Sequence, residues 1–156
     1  MIKNIILFLC LIGVVLHANE QPKPKKLTYE VSASLLKGLD SDAIVLGSGE
    51  KILYVFIDPL CPHSRKFVTM VSKNPVMLSK YQYRFLLYSI PRLKSTDVVS
   101  AIYVSKNPIE SLLQVMIDKN IVHDKGNEKT KAKAARIVDV GETIGVSKRP
   151  YIFIKK

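Results

Sequence analysis

A cysteine opens the segment of the sequence that is best suited to chemistry. Cys61 begins the stretch Cys-Pro-His-Ser, which follows an apolar run ending at Ile57. Pro62 fits the first position of a helix, where no backbone donor is needed. Free N–H groups at a helix start favour an anion, so Cys61 is expected to be an exposed, reactive thiolate. His63, when protonated, would add a positive field beside the sulfur.

The other polar residues of this turn are given structural rather than catalytic roles. Ser64 is interpreted as a residue that donates a hydrogen bond in the first helical turn, with a hydroxyl that could also touch the Cys61 sulfur. It is not expected to be a nucleophile, because the sequence positions no His and Asp pair for it. Asp58 is interpreted as a turn residue rather than a general base. The scattered cysteines and histidines have no ligand spacing, so neither a metal nor a cofactor is expected.

An α/β fold is predicted to position this turn. The continuous apolar run from Ile52 to Ile57 is typical of a central strand buried on both faces. A helix is expected from Cys61 or Pro62 to a break at Asn74, which precedes a proline. Further strands are predicted at 43–46, 81–90 and 151–154, and further helices at 31–39, 98–103, 107–117 and 128–144. Strands that alternate with helices in this way indicate the α/β class.

The N-terminus has the pattern of a secretory signal peptide over residues 1–18. One positive charge, Lys3, precedes an apolar run, and Ala18 offers a small residue for cleavage. This run is shorter than the roughly 20 apolar residues of a membrane span. An uncleaved segment, the alternative, would anchor the protein in the inner membrane. Acylation at Cys10 is disfavoured, because Leu9 stands where a small residue is expected.

Residues 19–27 are predicted to be a polar, proline-containing tether, and residues 28–156 a single domain. Loss of residues 1–18 would remove Cys10 and leave Cys61 as the only cysteine. The predicted location is the periplasm, an oxidising compartment. A lone thiol there is either buried and inert or reacts with the thiols of other molecules.

The chain is strongly basic. It carries 24 Lys and Arg residues against 13 Asp and Glu, a formal net charge of +11. The basic residues are spread along the chain, with clusters at 23–26 and 125–136. This surface is either simply solvated or contacts an anionic surface such as lipid or cell-wall polymer. Nucleic acid is not expected as a partner of an exported protein.

Four stretches together resemble the DsbC/DsbG disulfide isomerase family of the bacterial periplasm. They are SDAIVLGSGEKILYVFIDPLCPHS from Ser41, YSIPR from Tyr88, AIYVSKNPIESLLQVM from Ala101 and GVSKRPYIF from Gly145. The combination is specific, although each piece alone is not. The resemblance implies a thioredoxin-like fold with a helical insertion. It also implies a catalytic role for Cys61 and a cis peptide bond before Pro150, with Arg149 and Pro150 on the substrate-binding edge.

The sequence departs from this family at several points. Ser64 replaces the second, resolving cysteine, and the Cys-Pro-His triplet resembles the oxidant DsbA more than the isomerases. Arg149 stands where such proteins carry a small or β-branched residue. The family's N-terminal dimerisation domain is not expected, because only about twenty residues separate the predicted signal peptide from the fold. The chain also stops where the family continues with a strand and a helix, so a fold truncated at the C-terminus, with an exposed sheet edge, is expected.

Two functions remain open from the sequence. In the first, an exported monothiol isomerase or reductase uses Cys61 and His63 and forms mixed disulfides with cysteine-containing clients. A client thiol, an external thiol or a reductase partner would then release Cys61 from the mixed disulfide. In the second, a catalytically inactive thioredoxin-like binding module or assembly factor serves a secretion or conjugation system. The sequence alone does not decide whether the protein is an enzyme.

Overall fold

The computed structural model describes residues 27–120 and 124–156. The expected signal peptide at 1–18 and the tether, except for its last residue, lie outside the described residues. Within them, a four-stranded sheet is covered by helices on both faces. The elements are α1 (Tyr29–Lys37), β1 (Ile44–Leu46), β2 (Lys51–Ile57), α2 (Pro62–Ser72), α3 (Pro75–Lys80), β3 (Tyr81–Leu87), α4 (Thr96–Val104), α5 (Pro108–Leu113), α6 (Glu128–Thr143) and β4 (Tyr151–Ile154).

The sheet has the order β1-β3-β2-β4, with a parallel central pair and antiparallel outer pairs. Strand β2 is buried on both faces, as its apolar run predicts. Leu53, Val55 and Ile57 pack into a core with α2, α4 and α5. Tyr54 and Phe56 point to the other face, against α1 and α6. The α/β class is thereby confirmed, and α4 to α6 form a helical insertion between β3 and β4.

Capping residues begin the helices that border the central strands. The side chains of Asn74 and Asn107 accept hydrogen bonds from the N–H groups of Met77 (3.1 Å) and Glu110 (3.4 Å). A proline follows each cap at the first helical position. The helix predicted over 107–117 becomes a π-helical turn after α5. Within residues 27–120 and 124–156, no helix has both the length and the apolar composition that crossing a membrane requires.

Strand β3 ends at Leu87, three residues before the predicted end at Ile90. The chain still follows β2 for one more residue, since the N–H of Tyr88 donates to the carbonyl of Ile57 at 2.8 Å. The N–H of Ile90 then donates to the Asp58 carboxylate at 2.6 Å. At Ile90 a hydrogen bond to the side chain of Asp58, the residue after β2, therefore takes the place of a backbone bond between strands.

Strands β1 and β4 form the two edges of the sheet. In β4 the side chains alternate between half-buried and exposed positions. Ile152 and Ile154 are the exposed ones, with 44% and 60% of their surface accessible. Strand β4 is thus an edge strand of the described sheet, and the apolar side chains on one of its faces are exposed.

A polar network ties the chain before β1 to the central strands. The Tyr54 hydroxyl donates to Oδ1 of Asp40 at 2.6 Å, and Arg84 forms an ion pair with the same carboxylate. Burial would raise the pKa of Asp40, but hydrogen bonds from Arg84 and Tyr54 and the charge of Arg84 leave it lowered. Burial and the hydrogen bond to Asp40 raise the pKa of Tyr54 to about 12.

We expect this network to make stability fall in acid. Because folding lowers the pKa of Asp40, its contribution is present above the unfolded value of about 3.9 and is lost as the pH falls through the folded value. Asp40→Asn should weaken the acid dependence of the urea midpoint between about pH 6 and pH 3. The change should stay below about 1 kcal/mol, because the pair is partly exposed. Asp118→Asn, on an exposed turn, is the control. An unchanged acid dependence in Asp40→Asn would contradict the prediction.

Candidate active site

Cys61 lies where the central strand passes into a helix. The chain leaves β2 through a turn in which the N–H of Cys61 donates to the carbonyl of Asp58 at 3.0 Å. Cys61 is the N-cap residue of α2, and Pro62 occupies the first helical position. The Cys61 carbonyl accepts from the N–H of Arg65 at 2.9 Å. The sequence-based position of the cysteine at the helix start is thus what the structure has.

The expectation that Cys61 is exposed is wrong. Only 7% of its surface is accessible. The chain around Ile90 and the loop at 147–150 lie beside it, and together these segments line a cavity of about 680 Å³. Cys61 is the sole cysteine among the described residues and forms no disulfide there. Its remaining accessible surface therefore borders this cavity.

Three distant segments form the walls of the cavity. Cys61 and His63 come from the start of α2, Ile90 and Arg92 follow β3, and residues 147–150 precede β4. The peptide bond between Arg149 and Pro150 is cis, as the resemblance implies. The sulfur, His63 and the residues proposed for substrate binding therefore share one concave surface.

The side chain of Ser64 is buried and has a structural hydrogen bond. Its side chain is fully buried, and its hydroxyl accepts a hydrogen bond from the N–H of Asp58 at 3.2 Å. Among the described residues, no hydrogen bond joins this hydroxyl to the sulfur of Cys61. Ser64 thus joins the first turn of α2 to the residue after β2, and it does so as an acceptor rather than as the expected donor within the helical turn.

Asp58 does more than the sequence suggests. This carboxylate is fully buried and accepts hydrogen bonds from the N–H groups of Leu60 (2.7 Å) and Ile90 (2.6 Å). The hydroxyl of Ser95 donates to the same carboxylate at 2.5 Å. Its oxygens are engaged by three donors, so it is suited to positioning rather than to proton transfer. Asp58 links the cysteine turn, one cavity wall and the start of α4.

Arg149 stacks on an aromatic ring beneath the cavity. Its Cζ lies 3.7 Å from the ring centroid of Tyr88, and its buried Nε has no hydrogen-bond acceptor among the described atoms. Burial raises the pKa of Tyr88. The charge of Glu142 raises this pKa further, while the charge of Arg149 lowers it. The stack therefore orients the guanidinium beside the cis proline loop.

Gly141 in α6 leaves the space that Tyr88 occupies. A Cβ at this position would lie 2.7 Å from Cδ2 of Tyr88, closer still to Cε2, and 3.3 Å from Cε1 of Phe56. Gly141→Ala should therefore lower the free energy of unfolding by about 1–3 kcal/mol, the usual result of overpacking. Urea unfolding measures this change.

A double-mutant cycle tests the cause of that loss. In a Tyr88→Leu background the added methyl group has more room, so Gly141→Ala should cost less there. Helix propensity alone favours alanine over glycine by up to about 1 kcal/mol. A more stable Gly141→Ala protein would therefore mean that Tyr88 moves aside without loss.

The remaining cations of the turn lie apart from the cavity lining. Arg65 donates through Nε to the carbonyl of Pro59 at 2.7 Å, and Lys66 is exposed. Among the described residues, no three His, Cys, Asp or Glu side chains form a group that could hold a metal ion. Sequence reasoning gave no role to Arg92 and Lys148, which line the cavity. Both residues lie within stretches that resemble the DsbC/DsbG family, and this was the signal that could have indicated a place at the site.

Comparisons with solved structures identify the fold. No family model matches the sequence, and no curated protein matches it. The catalytic domain of Proteus mirabilis ScsC matches with a TM-score of 0.64 and 14% identity, over 82% of this chain and 86% of the other. Helicobacter pylori DsbG matches with a TM-score of 0.64 and 19% identity, over 81% of this chain and 61% of the other.

A third match has a similar architecture. A periplasmic thioredoxin-like protein of Salmonella enterica serovar Typhimurium matches with a TM-score of 0.56 and 15% identity, over 83% of this chain and 86% of the other. At these identities the likeness concerns the fold. The chain has a thioredoxin-like fold with a helical insertion, as the sequence resemblance implies.

Proposed function

We propose that the protein is an exported thiol–disulfide oxidoreductase of the isomerase or reductase type, with Cys61 as its single reactive sulfur. The observation that carries this proposal is the position of Cys61 at the start of α2, on a cavity wall shared with Pro150. Free N–H groups at a helix start stabilise a thiolate, the form that attacks disulfides. The likeness to ScsC and DsbG, low in sequence identity, supports the same class of chemistry.

The reaction needs one sulfur from the protein. The Cys61 thiolate attacks one sulfur of a client disulfide, which forms a mixed disulfide and expels the other client sulfur as a thiolate. In isomerisation, another client thiolate attacks the client sulfur of this adduct and Cys61 leaves, with no net change in electrons. In reduction, an external dithiol supplies two electrons and releases both partners. His63 is exposed and lines the cavity, and its proposed role is to add a positive charge beside the Cys61 sulfur when the imidazole is protonated.

Export is part of the proposal. Residues 1–18 carry the sequence pattern of a signal peptide. The similar protein from Salmonella is described as periplasmic. The proposed partners are exported proteins with cysteines, together with an external thiol or reductase that regenerates Cys61.

A binding module is the second candidate. The burial of Cys61, with 7% of its surface accessible, favours it, because a sulfur with little access reacts slowly. In this case the cavity beside Cys61 holds clients or an assembly partner without turnover, and the exposed apolar side chains of β4 offer a second contact.

Adduct formation separates these two functions. The full chain in a Cys10→Ser background, which leaves Cys61 as the only thiol, is mixed with a protein that carries scrambled disulfides. We expect adducts on non-reducing gels that collapse with a reductant, and recovery of native client when a small thiol is added. Cys61→Ser in the same background is the control. A folded protein that forms no adduct would favour the binding module.

A further inference from the structure

The cavity beside Cys61 is lined by several cations. Arg92, Lys148 and Arg149 line it, together with His63, and no Asp or Glu side chain is among its lining residues. Cations in a concave site with low-dielectric walls focus a positive potential. An anion that enters the cavity therefore meets several positive charges at once.

The cations that line the cavity have no carboxylate partner among the described residues, unlike several other cations of the protein. Arg84 pairs with Asp40, while Lys133 and Arg136 pair with the buried Asp42. Among the described residues, no carboxylate forms an ion pair with a cation that lines the cavity. The charge of the cavity is thus left for a ligand to neutralise.

Arg149 adds a directional donor to this field. Its guanidinium is stacked on Tyr88, and its Nε is buried without an acceptor among the described atoms. A buried donor without a partner is unfavourable, and a planar guanidinium matches the two oxygens of a carboxylate. A ligand carboxylate that draws the guanidinium toward the cavity would supply the missing acceptor.

We propose that this cavity binds a carboxylate next to the sulfur that Cys61 attacks, so that disulfides that carry carboxylates are the preferred substrates. This inference rests on the proposed function. The Cys61 thiolate bonds to one sulfur of the acidic disulfide, the disulfide bond breaks, and the second sulfur leaves as a thiolate. The same cations stabilise that leaving anion.

Charge-matched disulfide reagents test the preference. The full chain with Cys10→Ser reacts with dianionic dithiobis(nitrobenzoate) or with neutral dithiodipyridine, and the two second-order rate constants are compared. The same ratio for the urea-unfolded chain corrects for the reagents' own reactivity. The folded chain should prefer the anionic reagent by a further factor of about ten, within the range of electrostatic steering. Added salt should reduce this factor.

Variants locate the effect. Arg149→Gln, Arg92→Gln and Lys148→Gln should each lower the anionic-to-neutral ratio, with the largest loss at Arg149, because the removed charge acts on the anionic reagent and not on the neutral one. Lys73→Gln is the matched control, because it removes the same charge at the exposed far end of α2. A ratio equal to that of the unfolded chain would overturn the inference and leave the proposed function standing. A Cys61 that reacts with neither reagent would overturn both.

A second pair of probes separates two sources of the carboxylate. The disulfide of mercaptopropionate represents a small acidic thiol, and a disulfide-bridged peptide with glutamate beside each cysteine represents a protein segment. Each is compared with its amide counterpart. A carboxylate preference in either pair that Arg149→Gln removes supports the inference and names the source. No preference in both pairs overturns it.

Discussion

Ser64→Cys is expected to release the clients that Cys61 holds as mixed disulfides in the proposed function. Positions 61 and 64 are one helical turn apart, where side chains are neighbours about 5–6 Å apart between Cβ atoms. A disulfide requires a shorter Cβ separation of about 3.5–4.5 Å, which a small shift of this first helical turn would supply. A thiol at 64 could therefore attack the Cys61–client bond from within the same molecule. Adducts on non-reducing gels should fall by about tenfold or more, and insulin reduction should appear when a dithiol is supplied.

Ser64→Ala is the matched control for this change. Both substitutions deprive the N–H of Asp58 of the hydroxyl that accepts its hydrogen bond. Each should therefore destabilise the protein by about 1–3 kcal/mol. Only the cysteine can resolve the adduct, so adducts should persist in Ser64→Ala. A folded Ser64→Cys protein with undiminished adducts would mean that position 64 cannot reach the mixed disulfide.

Asp58→Ala is expected to give the largest loss of stability. It removes the acceptor of three hydrogen bonds, from the N–H groups of Leu60 and Ile90 and the hydroxyl of Ser95. Each buried donor left unpaired costs about 1–3 kcal/mol, with water or Ser95 replacing part of the loss for Ile90. We therefore expect a total of about 2–4 kcal/mol from urea unfolding, together with slower adduct formation at Cys61 because the turn is released.

Smaller changes at the same site calibrate that result. Ser95→Ala removes one of the three donors and should cost about 1 kcal/mol. Asp58→Asn keeps the shape but offers one acceptor oxygen instead of two, so its cost should exceed that of Ser95→Ala. A loss of less than about 1 kcal/mol in Asp58→Ala would mean that water replaces the carboxylate, and that this residue does not hold the site together.

Local signals located much of the fold. The apolar run of β2, the proline after Cys61 and the Asn-Pro pairs before α3 and α5 act through neighbouring residues, so the sequence reveals them. The cis bond at Pro150 is different: only the resemblance pointed to it, because local propensity makes a cis bond rare.

Long-range contacts account for what the sequence did not reveal. Asp58 precedes a proline, which indicates a turn, while its partners Ile90 and Ser95 lie 32 and 37 residues away. The stack of Arg149 on Tyr88 joins segments that no periodicity relates. The burial of Cys61 has the same origin, since the walls around it come from separate parts of the chain.

In the proposed function, the hydroxyl at position 64 also sets the kinetic order in which an adduct is released. An internal thiol acts at an effective concentration fixed by the protein, of millimolar order or above for tethered groups. With Ser64 engaged by the N–H of Asp58 instead, an adduct whose client has no second thiol is released only in a bimolecular step, at a rate proportional to the thiol concentration outside. The lifetime of an adduct would then report the redox state of the compartment, long where thiols are scarce and short where they are plentiful.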